Sequence, residues 1–250
     1  MKALVTGASS GIGKSISLYL ASLGYDLILV ARDENNLNKV KNEIKTNCEI
    51  SVKDLTKEAQ VFELYEEFKD KNIDILVNNA GFGLFGLFSE TSLEKELEMI
   101  DLNVKSYHIL TKLFLKDFVK RDSGYILNVC SSAGFMAGPR LNTYYATKNY
   151  VTKLTMAINE ELRHLNSNVH ISALCPGPVD TNFNKVAHGT FSIKGKTPDE
   201  VAKYGIDKMF KNKMIIIPGI SIKLGIFALR FLPYRLQLKI VYKIQWRKSK

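Results

Sequence analysis

Cysteine is scarce: Cys48, Cys130 and Cys175 are the only three in 250 residues, far apart and without a CxxC pair. That excludes a disulfide framework or a cysteine zinc site, and the odd number fits a reducing compartment. Long uncharged apolar runs are missing as well. The most apolar stretch near the C-terminus is cut by Lys223 and Arg230, well short of the roughly 20 residues that cross a bilayer. The four histidines (His108, His164, His170, His188) lack ligand spacing, so no metal is expected. Met1–Thr6 runs straight into a strand-like segment, so the expectation is a cytoplasmic chain with no signal peptide. Acids are absent after Asp207. Residues 201–250 hold twelve Lys/Arg against that one acid, so the net charge of +10 belongs to the tail, and residues 1–200 are net −1. Such asymmetry speaks to surface association rather than to fold. What is present, 46% hydrophobic and 24% charged residues, excludes a disordered chain and suits one large α/β domain.

Strand-like and helix-like segments alternate. Ala3–Thr6 is short and apolar, and Ile12, Ile16, Leu20 and Leu23 have helical spacing up to Gly24. Leu27–Ala31 is wholly apolar, as expected of a parallel strand buried on both faces. A helix capped by Asp33, a strand near Ile50–Val52, a helix around Lys57–Lys71 and a strand at Ile73–Val77 follow. Thr91-Ser92-Leu93-Glu94 reads as a capping box that opens one long helix to about Lys120. Tyr125–Cys130 is a strand, Thr143–Leu165 a helix and Val169–Leu174 a strand. This rhythm predicts a Rossmann-type doubly wound parallel sheet of about seven strands with helices on both faces. Ligands of such sheets bind beyond the carboxyl ends of the strands. The expected organisation is a core over 1–197 and a C-terminal part over 198–250. Gly177–Thr197, the longest stretch without periodicity, is expected to form a substrate lid.

The turn Thr6-Gly7-Ala8-Ser9-Ser10-Gly11-Ile12-Gly13 stands between the first strand and the first helix. Gly7 permits the tight turn, Gly11 lets the backbone approach a phosphate, and Gly13 lets helix and sheet pack closely. The free N–H groups at the helix start would receive a pyrophosphate, so the segment reads as dinucleotide-binding. At the end of the second strand a carboxylate would favour NAD and an arginine the 2′-phosphate of NADP. Arg32 follows Ala31 there, which points to NADP. Asp33 is the competing feature that would favour NAD, and its other reading is a helix cap.

Tyr144 and Lys148 lie four residues apart at the start of a helix and therefore share one face. An unperturbed tyrosine, with a pKa of about 10, is a poor acid–base group, and a neighbouring ammonium is expected to bring it down. Tyr65/Lys69 and Tyr204/Lys208 have the same spacing, but only the first pair has a hydroxyl thirteen residues upstream, Ser131, just after an apolar strand.

Taken together, Thr6–Gly13, Asp54, Asn78–Gly81, Asn103, Ser131, Tyr144/Lys148 and Pro176–Thr181 resemble the short-chain dehydrogenase/reductase family over roughly residues 1–200. The resemblance implies a catalytic set of Asn103, Ser131, Tyr144 and Lys148. Ser131 would hold a substrate carbonyl, Tyr144 would serve as general acid/base, and Asn103 would belong to a proton relay. It implies cofactor contacts from Gly7, Ser9, Ser10, Gly11, Ile12 and Gly13 in the glycine turn. Asp54 and Leu55 would flank the adenine, and Asn79, with Ala80 and Gly81 beside it, would lie by the adenosine ribose. Tyr144 and Lys148 would face the nicotinamide ribose, with Val179 and Thr181 at the carboxamide after the Pro176-Gly177 turn. Ser10 departs from the basic residue that many NADP-dependent members have before the second glycine. The activity implied is NADP(H)-dependent interconversion of a carbonyl compound and a secondary alcohol. The alternative reading is a non-catalytic NADP-binding regulatory or membrane-surface scaffold protein. The family also implies a homo-oligomer, a dimer or tetramer, formed through the helices near 93–120 and 143–165.

Phe82-Gly83-Leu84-Phe85-Gly86-Leu87-Phe88, with Phe135, Met136 and Phe183, suggests an apolar substrate pocket, loop packing being the alternative. In the tail, Met214–Ile217 reads as a last strand, followed by helices over Ile220–Phe231 and Tyr234–Trp246. Arg235, Lys239, Lys243 and Arg247 form a basic stripe beside Leu236, Ile240 and Ile244. Such a helix can lie on an anionic membrane, cover the pocket or meet a partner subunit. Aromatics are not interleaved as a stacking platform, so nucleic acid is not expected as a partner.

Overall fold

The computed structural model describes residues 1–181 and 195–246. Seven strands form one parallel sheet: β1 (Lys2–Thr6), β2 (Asp26–Ala31), β3 (Cys48–Val52), β4 (Ile75–Asn78), β5 (Gly124–Val129), β6 (Val169–Leu174) and β7 (Ile215–Ile216), in the order β3-β2-β1-β4-β5-β6-β7. The helices are α1 (Gly11–Ser22), α2 (Glu34–Glu43), α3 (Glu58–Phe68), α4 (Leu93–Ile100), α5 (Ser106–Arg121), α6 (Asn142–His164), α7 (Pro198–Met209), α8 (Ile220–Leu229) and α9 (Tyr234–Trp246).

The continuous apolar strands are explained by what covers them. Val5, Leu27 and Leu29 face Ile16 and Leu20 of α1 and Val201, Ile206 and Met209 of α7. Their neighbours Leu4, Ile28 and Leu76 face Leu64 and Phe68 of α3 and Phe114 and Phe118 of α5. Both faces of the sheet are therefore closed, as parallel sheets require. The chain winds outward from β1 to β3, then crosses back to β4 on the other side of β1. That reversal opens a crevice beyond the carboxyl ends of β1 and β4, where the glycine turn and Asn79–Gly81 lie.

A ladder of buried amides and hydroxyls crosses the sheet centre. Asn78 Nδ2 donates to Asn128 Oδ1 (2.9 Å) and Thr111 Oγ1 (3.1 Å), and Asn128 Nδ2 donates to Thr155 Oγ1 (2.9 Å). It ties β4 and β5 to α5 and α6, which carry the site.

Two local expectations are corrected. The capping box expected at Thr91/Glu94 is not formed. Ser92 is the N-cap, its hydroxyl accepting from Lys95 N at 3.3 Å, while Thr91 Oγ1 donates to Glu96 Oε1 at 2.5 Å. The helix expected to run on to Lys120 is widened by a π turn over Asp101–Lys105, which holds Asn103. Such turns recur at functional sites. A capping box does occur at Thr197/Glu200, where it starts α7.

Candidate active site

The N-terminus of α1 is open to an anion. Its N-cap, Ser10, makes no side-chain cap bond, and the first turn holds no acid. Gly7 and Gly11 have φ of +64° and +54°, the left-handed region that favours glycine. Asn79 holds the turn in shape, its Nδ2 donating to Thr6 O (2.9 Å) and Gly7 O (3.2 Å). A Cβ placed on Gly11 would lie 3.2 Å from Thr181 Cγ2, so the segment after β6 closes over the glycine turn. That segment is held by backbone bonds between Pro178 and Lys196 and between Asp180 and Lys196, with Val179 bridged to Lys196. The chemistry of this cradle fits a dinucleotide: helix-start N–H groups without a side-chain cap, glycines where side chains would intrude, and a cation at the end of β2.

At that end of β2, Arg32 is exposed and forms no hydrogen bond or ion pair among the described residues. Asp33 beside it is occupied. Its two carboxylate oxygens accept from Asn36 N (3.0 Å) and Asn36 Nδ2 (2.6 Å), the cap expected for α2. Asp54 makes a local turn, accepting from Thr56 N and Oγ1 at 3.1 and 2.8 Å, and Leu55 is buried against Ile28 and Val30.

Ser131 and Tyr144 meet. Ser131 follows β5 and starts a short 3-10 turn, its hydroxyl accepting from Ala133 N at 3.1 Å. It also hydrogen-bonds the Tyr144 phenol. Lys148, one turn along α6, places Nζ 5.9 Å from the centre of the Tyr144 ring and 5.2 Å from that of Tyr107. Its Nζ donates to Val129 O at 2.9 Å. Asn103 lies alongside. A Cβ on Gly81 would stand 2.8 Å from Asn103 Oδ1 and 3.5 Å from Lys148 Nζ, so the three share one small space. The Asn103 amide accepts from Phe82 N (3.1 Å) and donates to Phe82 O (2.9 Å) and Thr147 Oγ1 (3.2 Å).

One electrostatic expectation is corrected here. Burial pushes the Tyr144 phenol up from its ordinary pKa, against a smaller downward pull from the Ser131 hydroxyl. Lys148 moves down for the same reason, removal of its ammonium from water. In this structure desolvation sets the direction for both groups, and the expected lowering of the phenol by Lys148 is not seen.

Several positioning groups carry no sequence signal. Tyr107 Oη donates to Val129 O (3.2 Å), the same carbonyl that receives Lys148. Asn149 Nδ2 donates to Ala133 O, Met136 O and Tyr145 O at 2.8–2.9 Å, fastening the loop after Ser131 to α6. Glu96 is buried and accepts from Thr91 and Thr143. Lone polar residues of this kind show their role only once three segments converge.

The aromatic loop divides. Phe82 packs on the cluster containing Leu102, and Phe135 packs against Tyr107 and Val151. Phe85 lies under the Arg140 guanidinium, 4.6 Å from its ring centre, while Phe88 is exposed. Met136 lines a cleft of about 400 Å³ with Gly138, Pro139, Tyr145, Asn149 and Leu238 of α9. Ser131, Tyr144 and Lys148 do not line it, although the rings of Tyr144 and Tyr145 are edge to face at 6.2 Å. Phe183, His188 and most of the expected lid lie outside the described residues.

A family model described as short chain dehydrogenase matches residues 1–190. An uncharacterized oxidoreductase of Staphylococcus saprophyticus subsp. saprophyticus is 38% identical over 185 residues, which are 72% of this chain and 78% of that one. A very-long-chain 3-oxoacyl-CoA reductase of Mycosarcoma maydis is 34% identical over 200 residues, covering 76% and 57% of the two chains. Among solved structures, a short-chain dehydrogenase from Sphingobium yanoikuyae in complex with NADPH superposes with a TM-score of 0.84 at 29% identity, covering 92% of each chain.

Proposed function

The chain belongs to the short-chain dehydrogenase family and is an oxidoreductase acting on CH–OH or carbonyl groups, and we propose that it uses NADP(H) and an apolar substrate, with Tyr144 as general acid/base. The observation that carries this reading is the convergence of the Ser131 hydroxyl, the Tyr144 phenol and the Lys148 amine beyond the end of β5. When bound, the nicotinamide supplies or accepts the hydride. The protein's own groups do the rest. Ser131 donates to the carbonyl oxygen and fixes it beside the phenol. Tyr144, kept protonated by burial, is set to give that oxygen its proton. Lys148, beside the Tyr144 ring, and Asn103, which shares the space at Gly81 with that lysine, would serve the replacement of that proton. Gly7, Ser9, Ser10, Gly11, Ile12 and Gly13 would hold the pyrophosphate, Asp54 and Leu55 the adenine, and Asn79, Ala80 and Gly81 the adenosine ribose. Lys148 would also hold the nicotinamide ribose, and Pro176, Gly177, Val179 and Thr181 would anchor the ring.

The apolar character of the substrate is supported by the long-acyl substrate named for the Mycosarcoma maydis relative. A homo-oligomer is supported by Leu93, Leu97 and Ile100, exposed along one face of α4.

The reading is tested with a panel of ketones and aldehydes, short and long, monitored by loss of NADPH absorbance. Long apolar ketones are expected to turn over best. Because the phenol is shifted upward, the reduction rate should hold through neutral pH, and oxidation of the alcohol product should rise with pH as the phenol ionises. A reduction rate that declines from mildly acidic to neutral pH would remove Tyr144 from the acid's role.

Cofactor choice has its own test. Arg32 is open for a 2′-phosphate, whereas the Asp33 carboxylate already serves the α2 cap. Arg32→Ala should raise the KM for NADPH roughly 10- to 100-fold, the worth of a charge-assisted contact, and leave the KM for NADH nearly unchanged. A wild-type enzyme that prefers NADH would reverse this assignment.

A further inference from the structure

We propose that α8 and α9 together form a docking surface for a bilayer rich in anionic phospholipid. This goes beyond the oxidoreductase reading and stands without it. On α8, Ile222 and Leu229 are half-buried and Ile226 is buried, and Ile222 lies against the Pro176-Gly177 turn. Ile220, Leu224, Phe227 and Phe231 line the opposite side and are 55–79% exposed.

On α9 the usual distribution is inverted. The inward positions are Gln237, Val241 and Gln245, of which Gln245 is 1% exposed, whereas Leu236, Ile240 and Ile244 face outward. The two glutamines are in place as hydrogen-bonding anchors. Gln237 Nε2 donates to Leu229 O (2.9 Å) and Leu232 O (2.7 Å), joining the two helices, and Gln245 Nε2 donates to Tyr145 Oη at 2.6 Å. Polar groups thus fix the pair to the enzyme while aliphatic and aromatic side chains face solvent, the reverse of a surface made for water.

Charge identifies the occupant. Lys223, Arg230, Arg235, Lys239 and Lys243 flank the apolar stripes, and none forms an ion pair among the described residues. No acid occurs from 208 to 250 to balance them. In a symmetric dimer the same patch meets itself, and here that would set cations against cations. A bilayer surface offers what the patch needs, phosphate oxygens for the cations and acyl chains for Phe227, Phe231 and Leu224. Neither helix is long and apolar enough to cross a membrane, so the contact is one of lying on the surface. The anchors place that surface beside the cleft lined by Tyr145 and Leu238.

The test is flotation of the full chain with vesicles of phosphatidylcholine and phosphatidylglycerol in equal parts, against vesicles of phosphatidylcholine alone. The protein is expected to float with the anionic vesicles, weakly with the neutral ones, and progressively less as salt rises. Phe227→Glu/Phe231→Glu should weaken binding about tenfold or more. Lys239→Gln/Lys243→Gln should cost about fivefold for each charge removed. Both should leave turnover of a short water-soluble ketone unchanged. Failure to float with anionic vesicles at low salt, or equal flotation by Phe227→Glu/Phe231→Glu, would overturn the proposal. So would a dimer that this double variant disperses, which would assign the face to a second copy of the chain.

Discussion

Tyr144→Phe should lower kcat by about a thousandfold, within the range lost when a positioned proton donor is removed, while the affinity for NADPH stays as in the wild type. The substitution deletes one oxygen and little else. The ring keeps its edge-to-face contact with Tyr145 and its place beside Lys148. Ser131 loses a hydrogen-bonding partner, a change worth about 1 kcal/mol of stability, so the melting temperature should move by only a few degrees. The measurements are single-turnover rates and NADPH binding by fluorescence. On the proposed reading NADPH is held mainly by the glycine turn and the ends of β2 and β4, so the two readouts should separate cleanly. Wild-type turnover in the phenylalanine variant would show that another group supplies the proton.

Gly13→Ala should damage both fold and cofactor binding. A methyl there would stand 2.3 Å from Gly7 O and 2.4 Å from Asn79 Nδ2. Neither neighbour can easily yield. Gly7 O belongs to the tight turn after β1, and the Asn79 amide holds Thr6 O and Gly7 O together. Relief requires α1 to move away from the sheet, carrying with it the N–H groups proposed to receive the pyrophosphate. The expected loss is about 1–3 kcal/mol of stability or more, the scale of overpacking, together with NADPH affinity reduced by roughly tenfold or more. Gly225→Ala is the control, because a Cβ there meets nothing within 4 Å. It should leave both properties intact or raise stability slightly. Denaturant midpoints and NADPH titrations on the two variants decide the matter, and equal behaviour would mean that close packing at Gly13 is not what the turn requires.

Much of this site was legible because its parts are marked by residue types with few substitutes. Gly7 and Gly11 combine a left-handed φ with no room for a side chain, since a Cβ would stand 2.8 Å from Ala80 Cα and 3.2 Å from Thr181 Cγ2 respectively, and a hydroxyl thirteen residues upstream set the Tyr144/Lys148 pair apart from those at Tyr65 and Tyr204. Illegible were the groups whose meaning depends on neighbours distant in sequence. Glu96 joins the loop before α4 to the start of α6, Asn149 holds three carbonyls, and Tyr107 shares the carbonyl of Val129 with Lys148. Phe135 and Phe82 had the composition of a substrate pocket and became packing, because an aromatic near a strand end can turn to either side.

The direction in which Tyr144 shifts was likewise settled by packing, since a lysine one turn away lowers a phenol only if desolvation does not outweigh it. The same distinction holds for the whole chain. Apolar runs bounded by glycine, proline and asparagine specified the parallel sheet and its order of elements, because a strand covered on both faces has no polar positions to spare. Helical period alone gave α9 an apolar line and a basic line. Only the docking of Gln237 and Gln245 inward decided that both lines would face away from the protein, because hydrogen bonds to α8 and Tyr145 fix which side of the helix is buried.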